Sequence, residues 1–282
     1  MTSSTSILTA SRARTPFLKW PGGKRWFVLK HIGLMPSSFN TYIEAFAGSA
    51  SVFFALRPDR SVLCDANDEL ISTYRAIKWR PSQVESALRR HAENHSKAYY
   101  YQVRSQQPTD LIEIAARLIY LNRTCFNGIY RVNKKGEFNV PKGSKDAVVL
   151  ETDNFLETAR ALRNAELISG DFSLAVTRAR RDDLVFADPP YTIQHNNNGF
   201  IKYNEKIFSW EDQVRLAKSL QAAARRGAMV VATNANHASL RDLYSDLGFQ
   251  CTTTSRFSAI SGTGSDRGQY EELIITNLGG QR

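Results

Sequence analysis

The feature that most constrains the fold is a short apolar run that ends in a polar, proline-rich tetrapeptide. Leu184–Ala187 contains four consecutive apolar residues, and Asp188, Pro189, Pro190 and Tyr191 follow directly. A continuous apolar run of this length, bounded by turn-forming residues, indicates a buried strand. The tetrapeptide is therefore predicted to lie where this strand runs out into a loop.

Similar apolar segments recur along the chain and alternate with helical patterns. Strands are predicted at 41–46, 61–64, 166–169, 183–187, 227–232, 249–257 and 271–277, and helices at 70–78, 81–91, 111–121 and 212–226. Strands that alternate with helices are typical of an α/β sheet. Helical stretches and a basic segment interrupt this pattern between about 69 and 152. We therefore predict an α/β sheet with an inserted, mainly helical domain.

The first predicted strand and helix are joined by a run of small residues. Residues 47–51 read Ala-Gly-Ser-Ala-Ser, and the next strand ends at Asp65. Small residues at such a turn let the backbone approach a ligand closely, and an acid about twenty residues later suits ribose hydroxyls. Only Gly48 is glycine, so packing alone also explains the pattern.

Basic charge is concentrated in two parts of the chain. The net charge is +10; residues 11–30 contain six basic residues and no acid, and residues 117–145 contain seven against Glu137 alone. Gly128, Gly136 and Gly143 punctuate the second window, which predicts a β-hairpin. Concentrated positive charge attracts phosphate groups. A solvated basic surface is the alternative.

Composition excludes several classes of protein. No stretch of about 18 apolar residues is present, so no membrane span is expected. Residues 1–14 lack the apolar core of a signal peptide and predict a flexible tail. Three widely spaced cysteines provide neither a disulfide framework nor a metal-ligand pattern, so we expect no metal site and a cytoplasmic location.

The tetrapeptide suits methylation of an amino group on a flat base. The exocyclic nitrogen of adenine is a poor nucleophile, because its lone pair is delocalised into the ring. Asp188 and the carbonyl of Pro189 can accept its hydrogens, and Tyr191 can stack on the base. The two prolines restrict φ and remove N–H donors. The same tetrapeptide also occurs in ordinary turns.

Several segments, taken in order, give the chain a specific likeness. It resembles the Dam-type DNA adenine-N6 methyltransferases, the alpha-group, D12 class of amino-methyltransferases, from Phe17 to Asn277. The matching segments are 17–24 (FLKWPGGK), 44–51 (EAFAGSAS), 122–131 (NRTCFNGIYR), 136–141 (GEFNVP) and 188–191 (DPPY).

The resemblance implies a fold, a domain organisation and a cofactor. The fold is a Rossmann-like methyltransferase sheet that binds S-adenosylmethionine, with a DNA-recognition domain carrying a β-hairpin at 69–152 and the catalytic domain at 15–68 plus 153–282. The implied catalytic residues are Asp188, Pro189, Pro190 and Tyr191. The implied cofactor-binding residues are Trp20, Lys24, Phe46, Gly48, Asp65, Asp171, Phe172 and Asp188. A core tryptophan at 20 and a helix cap at 171 are the structural alternatives.

The resemblance also implies a double-stranded DNA partner. Arg131 is the candidate for bidentate reading of guanine, with a phosphate contact as the alternative. The implied DNA-binding residues are Lys19, Arg123, Phe126, Asn127, Ile129, Arg131, Asn139, Pro141, Lys142 and Lys145. Lys142 to Lys145 departs from the sequence typical of GATC-methylating members, and residues 195–199 predict a mobile loop or a plain flexible one.

The predicted function is therefore transfer of a methyl group to N6 of a flipped-out adenine in DNA. Methylation of cytosine N4, methylation of RNA adenine and DNA binding without catalysis are the alternatives. A cognate restriction endonuclease is a candidate protein partner, and no obligatory partner is evident. Protection of DNA against such a nuclease, marking of the chromosome and a role in a phage are all left open by the sequence.

Overall fold

A seven-stranded mixed sheet organises the protein. The computed structural model describes residues 16–133, 136–191, 208–257 and 269–279. Its strands lie in the order β3-β2-β1-β4-β5-β7-β6. They are β1 (Tyr42–Glu44), β2 (Ser61–Asp65), β3 (Ala165–Ser169), β4 (Leu184–Ala187), β5 (Met229–Ala235), β6 (Gln250–Phe257) and β7 (Gln269–Thr276). The predicted α/β class is confirmed.

The central strands are parallel, and one edge of the sheet is antiparallel. β1 pairs in parallel with both β2 and β4, and β4 pairs in parallel with β5. β7 runs antiparallel between β5 and β6. The strand order reverses between β1 and β4, because the chain runs outward through β2 and β3 before it returns to β4. Ligands of open α/β sheets bind at the carboxyl ends of the strands at such a reversal.

Several of the helices begin where the sequence supplies a capping side chain. They are α1 (Arg25–His31), α2 (Ser51–Leu56), α3 (Asp68–Trp79), α4 (Pro81–Glu93), α5 (Lys97–Ser105), α6 (Leu111–Thr124), α7 (Phe155–Leu162), α8 (Ser173–Val176), α9 (Trp210–Arg225) and α10 (Ala238–Asp246). Asp110 accepts hydrogen bonds from the first backbone N–H groups of α6, and Ser209 with Asp212 forms a capping box at the start of α9. Such caps satisfy donors that a helix leaves unpaired.

The chain divides into two compact units. The first comprises the chain up to Leu29 with Ala47–Asp59 and Asp65–Gly170, and its core is built on α6, which packs against α3, α4 and α5. The second comprises Lys30–Phe46, Arg60–Cys64 and the chain from Asp171 onward, and it contains β1, β4 and β5. The first unit extends beyond the predicted recognition domain, whose limits at 69 and 152 stay a prediction.

One local prediction differs from the structure, and one helix within 69–152 was not predicted. The unpredicted helix is α5, in which Tyr100 and Val103 are buried on one face and Ser96 is the cap. The hairpin at 125–145 contains two isolated antiparallel bridges, Cys125 to Lys142 and Val132 to Phe138, rather than a regular ladder. A 3-10 turn at Phe126–Gly128, with Asn127 at φ 57°, interrupts the pairing.

The described part of the chain contains no helix that is both long enough and apolar enough to cross a bilayer. The predicted tail at 1–14 and the asparagine-rich segment at 195–199 lie outside the described residues.

Candidate active site

Asp188 lies immediately after β4, at the point where the strand order reverses. The parallel register of β4 and β5 pairs Ala187 with Ala232, so the next residues, Asp188 and Thr233, are neighbours. The Thr233 hydroxyl donates to Asp188 Oδ1 at 2.8 Å. Thr233 is fully buried and Asp188 is half-buried. The sequence predicted that Asp188 follows the end of β4. The structure shows in addition that a residue of the neighbouring strand β5 holds its carboxylate.

Tyr191, the last residue of the tetrapeptide, is anchored by a buried carboxylate. Its hydroxyl donates to Glu272 Oε2 at 2.6 Å. Glu272 lies on β7 opposite Ala235 of β5 and is 2% exposed. Burial raises the pKa of Tyr191, and the negative charges of Asp188 and Glu272 raise it further. The phenol therefore stays protonated and serves as a donor.

Pro190 is held through its carbonyl group. Gln213 of α9 donates from Nε2 to the Pro190 oxygen at 3.2 Å, and Asn234 of β5 donates from Nδ2 to Gln213 Oε1 at 3.0 Å. Both amide side chains are fully buried. Three elements that are distant in sequence thus hold three residues of the tetrapeptide.

In the second unit, three phenylalanine rings form a cluster that includes the predicted cofactor-binding residues Phe46 and Phe172. The rings of Phe46, Phe172 and Phe208 lie 5.5 to 5.9 Å apart between centroids. The Arg215 guanidinium lies over the Phe172 ring at 4.3 Å and forms two hydrogen bonds with Asp171, at 2.7 and 2.8 Å. This pairing holds the pKa of Asp171 well below its ordinary value. Asp171 is therefore an ionised acceptor beside an aromatic surface.

In the first unit, Gly48 and Asp65 form a tight loop contact. The Gly48 N–H donates to Asp65 Oδ2 and the Asn67 N–H donates to Oδ1, both at 2.9 Å. Burial raises the pKa of Asp65, while these two hydrogen bonds oppose that shift. A carboxylate has about four acceptor positions, so two remain for hydroxyl groups. This geometry fits the predicted contact with a ribose.

Gly48 is required by its surroundings as well as by its backbone. It has φ 47°, and a Cβ at this position would lie 2.8 Å from Trp20 Cδ1. Trp20 in turn stacks on Tyr130, with ring centroids 5.0 Å apart and an interplanar angle of 22°. Lys24 is buried and donates to the Gly22 carbonyl at 2.8 Å. The cofactor roles of Trp20 and Lys24 stay predictions.

The residues predicted to contact DNA in the first unit are mostly exposed. Phe126 is 55% exposed on the 3-10 turn, Ile129 is half-buried beside it, and Asn127, Pro141 and Lys145 are exposed. Lys19 is also exposed, and hydrogen bonding to Lys145 lowers its pKa. These positions suit contacts with DNA, which stay predictions.

Three further candidates have internal partners, and of these Arg131 is exposed whereas Asn139 and Lys142 are half-buried. Arg131 donates from Nε to Asn139 Oδ1 at 3.0 Å, and this hydrogen bond does not involve its two terminal Nη groups. Lys142 forms an ion pair with Asp146 at 2.7 Å. Asn139 therefore orients the arginine, and contact of Lys142 with a phosphate requires it to leave Asp146.

Arg123 is a correction to the predicted DNA surface. Its side chain is 5% exposed and forms two 2.6 Å hydrogen bonds with Asp153, which is 8% exposed. It also donates to the carbonyls of Val148 and Phe17, at 2.8 and 3.3 Å. A guanidinium enclosed in this way is not accessible to a phosphate, so its role is structural.

Sequence reasoning missed Thr233, Gln213, Asn234 and Glu272. Thr233 and Asn234 directly follow an apolar segment that was predicted as a buried strand, and polar residues at that position are a usable signal. Gln213 and Glu272 carry no such signal, since each lies within an ordinary helix or strand pattern.

Comparison with known proteins gives a consistent result. The family model of the D12 class N6 adenine-specific DNA methyltransferases matches residues 20–260. The chain is 37% identical over 274 residues to the type II methyltransferase M1.LlaDCHI of Lactococcus lactis subsp. cremoris, covering 94% of this chain and 95% of the relative. It is 31% identical over 283 residues to the type II methyltransferase M.MjaIII of Methanocaldococcus jannaschii, covering 92% and 98%. It is 32% identical over 263 residues to a DNA adenine methylase of Vibrio cholerae, covering 92% and 94%.

Proposed function

Because the chain belongs to the D12 class of N6 adenine-specific DNA methyltransferases, we propose that it methylates N6 of a flipped-out adenine in double-stranded DNA with S-adenosylmethionine as donor. The observation that carries the residue assignment is the Asp188 carboxylate, which Thr233 holds at the carboxyl end of β4. Such strand ends at a reversal of strand order are the usual ligand sites of α/β sheets.

Asp188 increases the nucleophilicity of the adenine amino group. A hydrogen bond from N6 to the carboxylate shifts the nitrogen lone pair away from the ring and towards the methyl group. As the N–CH₃ bond forms, the methyl–sulfur bond of the donor would break and its sulfur would leave as a neutral thioether. The nitrogen gains positive charge and then loses one proton, which the Asp188 carboxylate accepts and passes to water. A fixed carboxylate stabilises that charge without reorganising, and the Pro189 carbonyl is proposed as the second acceptor.

Eight sequence-predicted residues include those that we propose to hold the donor. Asp65 accepts from the ribose hydroxyls, Gly48 allows close backbone approach, and Trp20 and Lys24 contact the methionine part. Phe46 and Phe172 pack against the adenine, and Asp171 accepts from its amino group. S-adenosylmethionine supplies an electrophilic methyl group on a sulfonium centre. The chain's contribution is orientation of the two reactants and exclusion of water.

The exposed residues of the first unit are proposed to bind DNA. Arg131, oriented by Asn139, reads a guanine edge, and Phe126 occupies the space from which the base leaves. Stacking on Tyr191 offsets part of the unstacking cost, by roughly 1–3 kcal/mol. A cognate restriction endonuclease stays a prediction from the resemblance.

The first test is the isosteric variant Asp188→Asn. It keeps the shape of the side chain and removes its negative charge, so we expect the single-turnover rate to fall by about 10²-fold or more, while calorimetry still detects donor binding, partly retained because the other donor-binding residues are unchanged. Mass spectrometry of the product separates N6-methyladenine from N4-methylcytosine and from methylated RNA. A variant that methylates at the wild-type rate would refute the role of Asp188.

A further inference from the structure

Between Asp188 Cα and the Tyr191 nitrogen, the backbone has one torsion angle that the prolines do not restrict. Pro189 and Pro190 have φ fixed by their rings. Asp188 and Pro189 each precede a proline, which restricts both to extended conformations. The ψ angle of Pro190 has no such restriction, because Tyr191 follows it. This angle decides the direction of the Pro190 carbonyl and the direction in which the chain leaves towards Tyr191.

Gln213 fixes that angle through the Pro190 carbonyl. The two prolines donate no backbone hydrogen bond, so this carbonyl is a point at which the rest of the protein holds the segment. The bond comes from Nε2 of Gln213, at 3.2 Å, in the first turns of α9. Gln213 is fully buried, so water does not compete for the amide.

The direction of the hydrogen bonds around Gln213 is determined by a backbone donor. The N–H of Ala235 donates to Asn234 Oδ1 at 2.9 Å. The other atom of the Asn234 amide is therefore the nitrogen, which donates to Gln213 Oε1 at 3.0 Å. The Gln213 nitrogen is then left to face Pro190. A backbone N–H cannot act as an acceptor, so the whole series has one consistent orientation.

We propose that Gln213 and Asn234 are positioning residues for the methyl transfer. Asn234 sets the orientation of the Gln213 amide, Gln213 fixes the carbonyl of Pro190, and the direction of Tyr191 follows. The inference rests on the proposed function, in which Tyr191 stacks on the flipped adenine. Neither amide touches the reacting atoms in this account.

Two isosteric variants test the series. Gln213→Glu keeps the acceptor for Asn234 but places a carboxylate oxygen against the Pro190 carbonyl. Asn234→Asp keeps the acceptor for the Ala235 N–H but removes the donor to Gln213, whose amide then turns and presents its oxygen to Pro190. We expect both variants to lower the single-turnover rate by about 10-fold to 100-fold, because small misplacements of this kind have effects of that size.

A matched control lies on the same helix. Gln221 donates from Nε2 to the Leu247 carbonyl at 3.0 Å, so Gln221→Glu loses the same kind of bond away from the tetrapeptide. We expect its single-turnover rate to stay within about twofold of wild type. Circular dichroism and donor affinity confirm that each variant is folded, and Asn234→Asp supplies the measurement if Gln213→Glu does not fold.

A second measurement reports whether the target base is stacked in the duplex or flipped out. A purely structural role of the two amides would not change this equilibrium. Once the methylated site has been mapped by sequencing, 2-aminopurine replaces the target adenine in a duplex. We expect wild type to change its fluorescence on binding, and both amide variants to bind the duplex normally but give a different bound signal. Wild-type rates and signals in both folded variants would overturn the inference. Absence of methylation by wild type would instead refute the proposed function.

Discussion

Replacing Arg123 with methionine separates a structural arginine from a DNA-binding one. The guanidinium forms two 2.6 Å hydrogen bonds with Asp153, and the two side chains are 5% and 8% exposed. Methionine preserves much of the apolar stem and removes the charge. Asp153 is then a buried carboxylate that has lost its cation, so we expect a large loss of stability and no specific loss of DNA contacts.

The expected loss in the free energy of unfolding follows from the contacts that remain after the substitution. Removal of one member of a buried ion pair costs about 3–5 kcal/mol. Two features favour the lower half of that range. Asp153 still accepts from the Leu150 N–H at 2.8 Å. Arg123 Nε is buried without a hydrogen-bond partner among the described residues, so methionine also removes an unsatisfied donor. About 3–4 kcal/mol corresponds to roughly 6–16 °C in Tm for a unit of 150–250 residues.

The assay combines thermal unfolding with DNA binding measured well below the Tm. The double variant Arg123→Met/Asp153→Leu should regain much of the stability, because it leaves no unpaired charge. Arg131→Met is the matched control, since Arg131 is exposed; its stability should change by less than about 0.5 kcal/mol while its sequence choice relaxes. Wild-type stability with weakened DNA binding in Arg123→Met would refute the structural assignment.

Three further outcomes are expected. Thr233→Val removes the hydroxyl that holds Asp188 and should lower the single-turnover rate by about tenfold, with donor affinity unchanged. Gly48→Ala places a residue with a side chain in a left-handed conformation, which costs about 1–2 kcal/mol, and its methyl group would press on the Trp20 indole. Calorimetry should therefore show weaker donor binding. Asp171→Asn breaks a pair with Arg215 in which both side chains are more than two-fifths exposed, so it should cost at most about 1 kcal/mol at pH 7. Because the pKa of Asp171 is depressed in the folded protein, that difference should shrink as the pH falls below about 4, which unfolding at pH 7 and pH 3 would reveal.

Each of these expectations has a control or a contrary result. Thr276→Val removes a hydroxyl that donates to the Val230 carbonyl away from the tetrapeptide, and it should leave the rate unchanged. Gly33→Ala adds a methyl group where no atom lies within 4 Å, and it should leave donor binding unchanged. An Asp171→Asn variant whose stability deficit grows as the pH falls would contradict the sign argued for the Arg215 pair.

The centre of the sheet was predictable because β4 is entirely apolar and the strands beside it are largely buried. Val185 and Phe186 have no polar neighbour within β4, so burial on both faces is the only arrangement that removes them from water. The polar residues at the ends of such strands, Asp65 and Asp188 among them, were also predictable, because each comes directly after an apolar run. The amino-acid order therefore determined the fold class, the family and the position of the central carboxylate.

The tertiary structure decided which charges are available to ligands. Arg123 and Arg131 belong to the same basic window and look equivalent in sequence. Arg123 is buried against Asp153, a residue 30 positions away, whereas Arg131 lies on the exposed segment after α6. Ion pairing depends on distance in space, which a local pattern does not encode.

The tertiary structure also decided what holds the tetrapeptide. Thr233, Gln213 and Glu272 lie between 23 and 81 positions from the residues that they anchor, and each comes from a different element. Their side chains converge only because β4 pairs with β5, β5 pairs with β7, and α9 packs on β5. The sequence by itself determined the reactive groups, and only the packing of distant elements decided their orientation, since torsion angles are fixed by contacts that the chain makes after it folds.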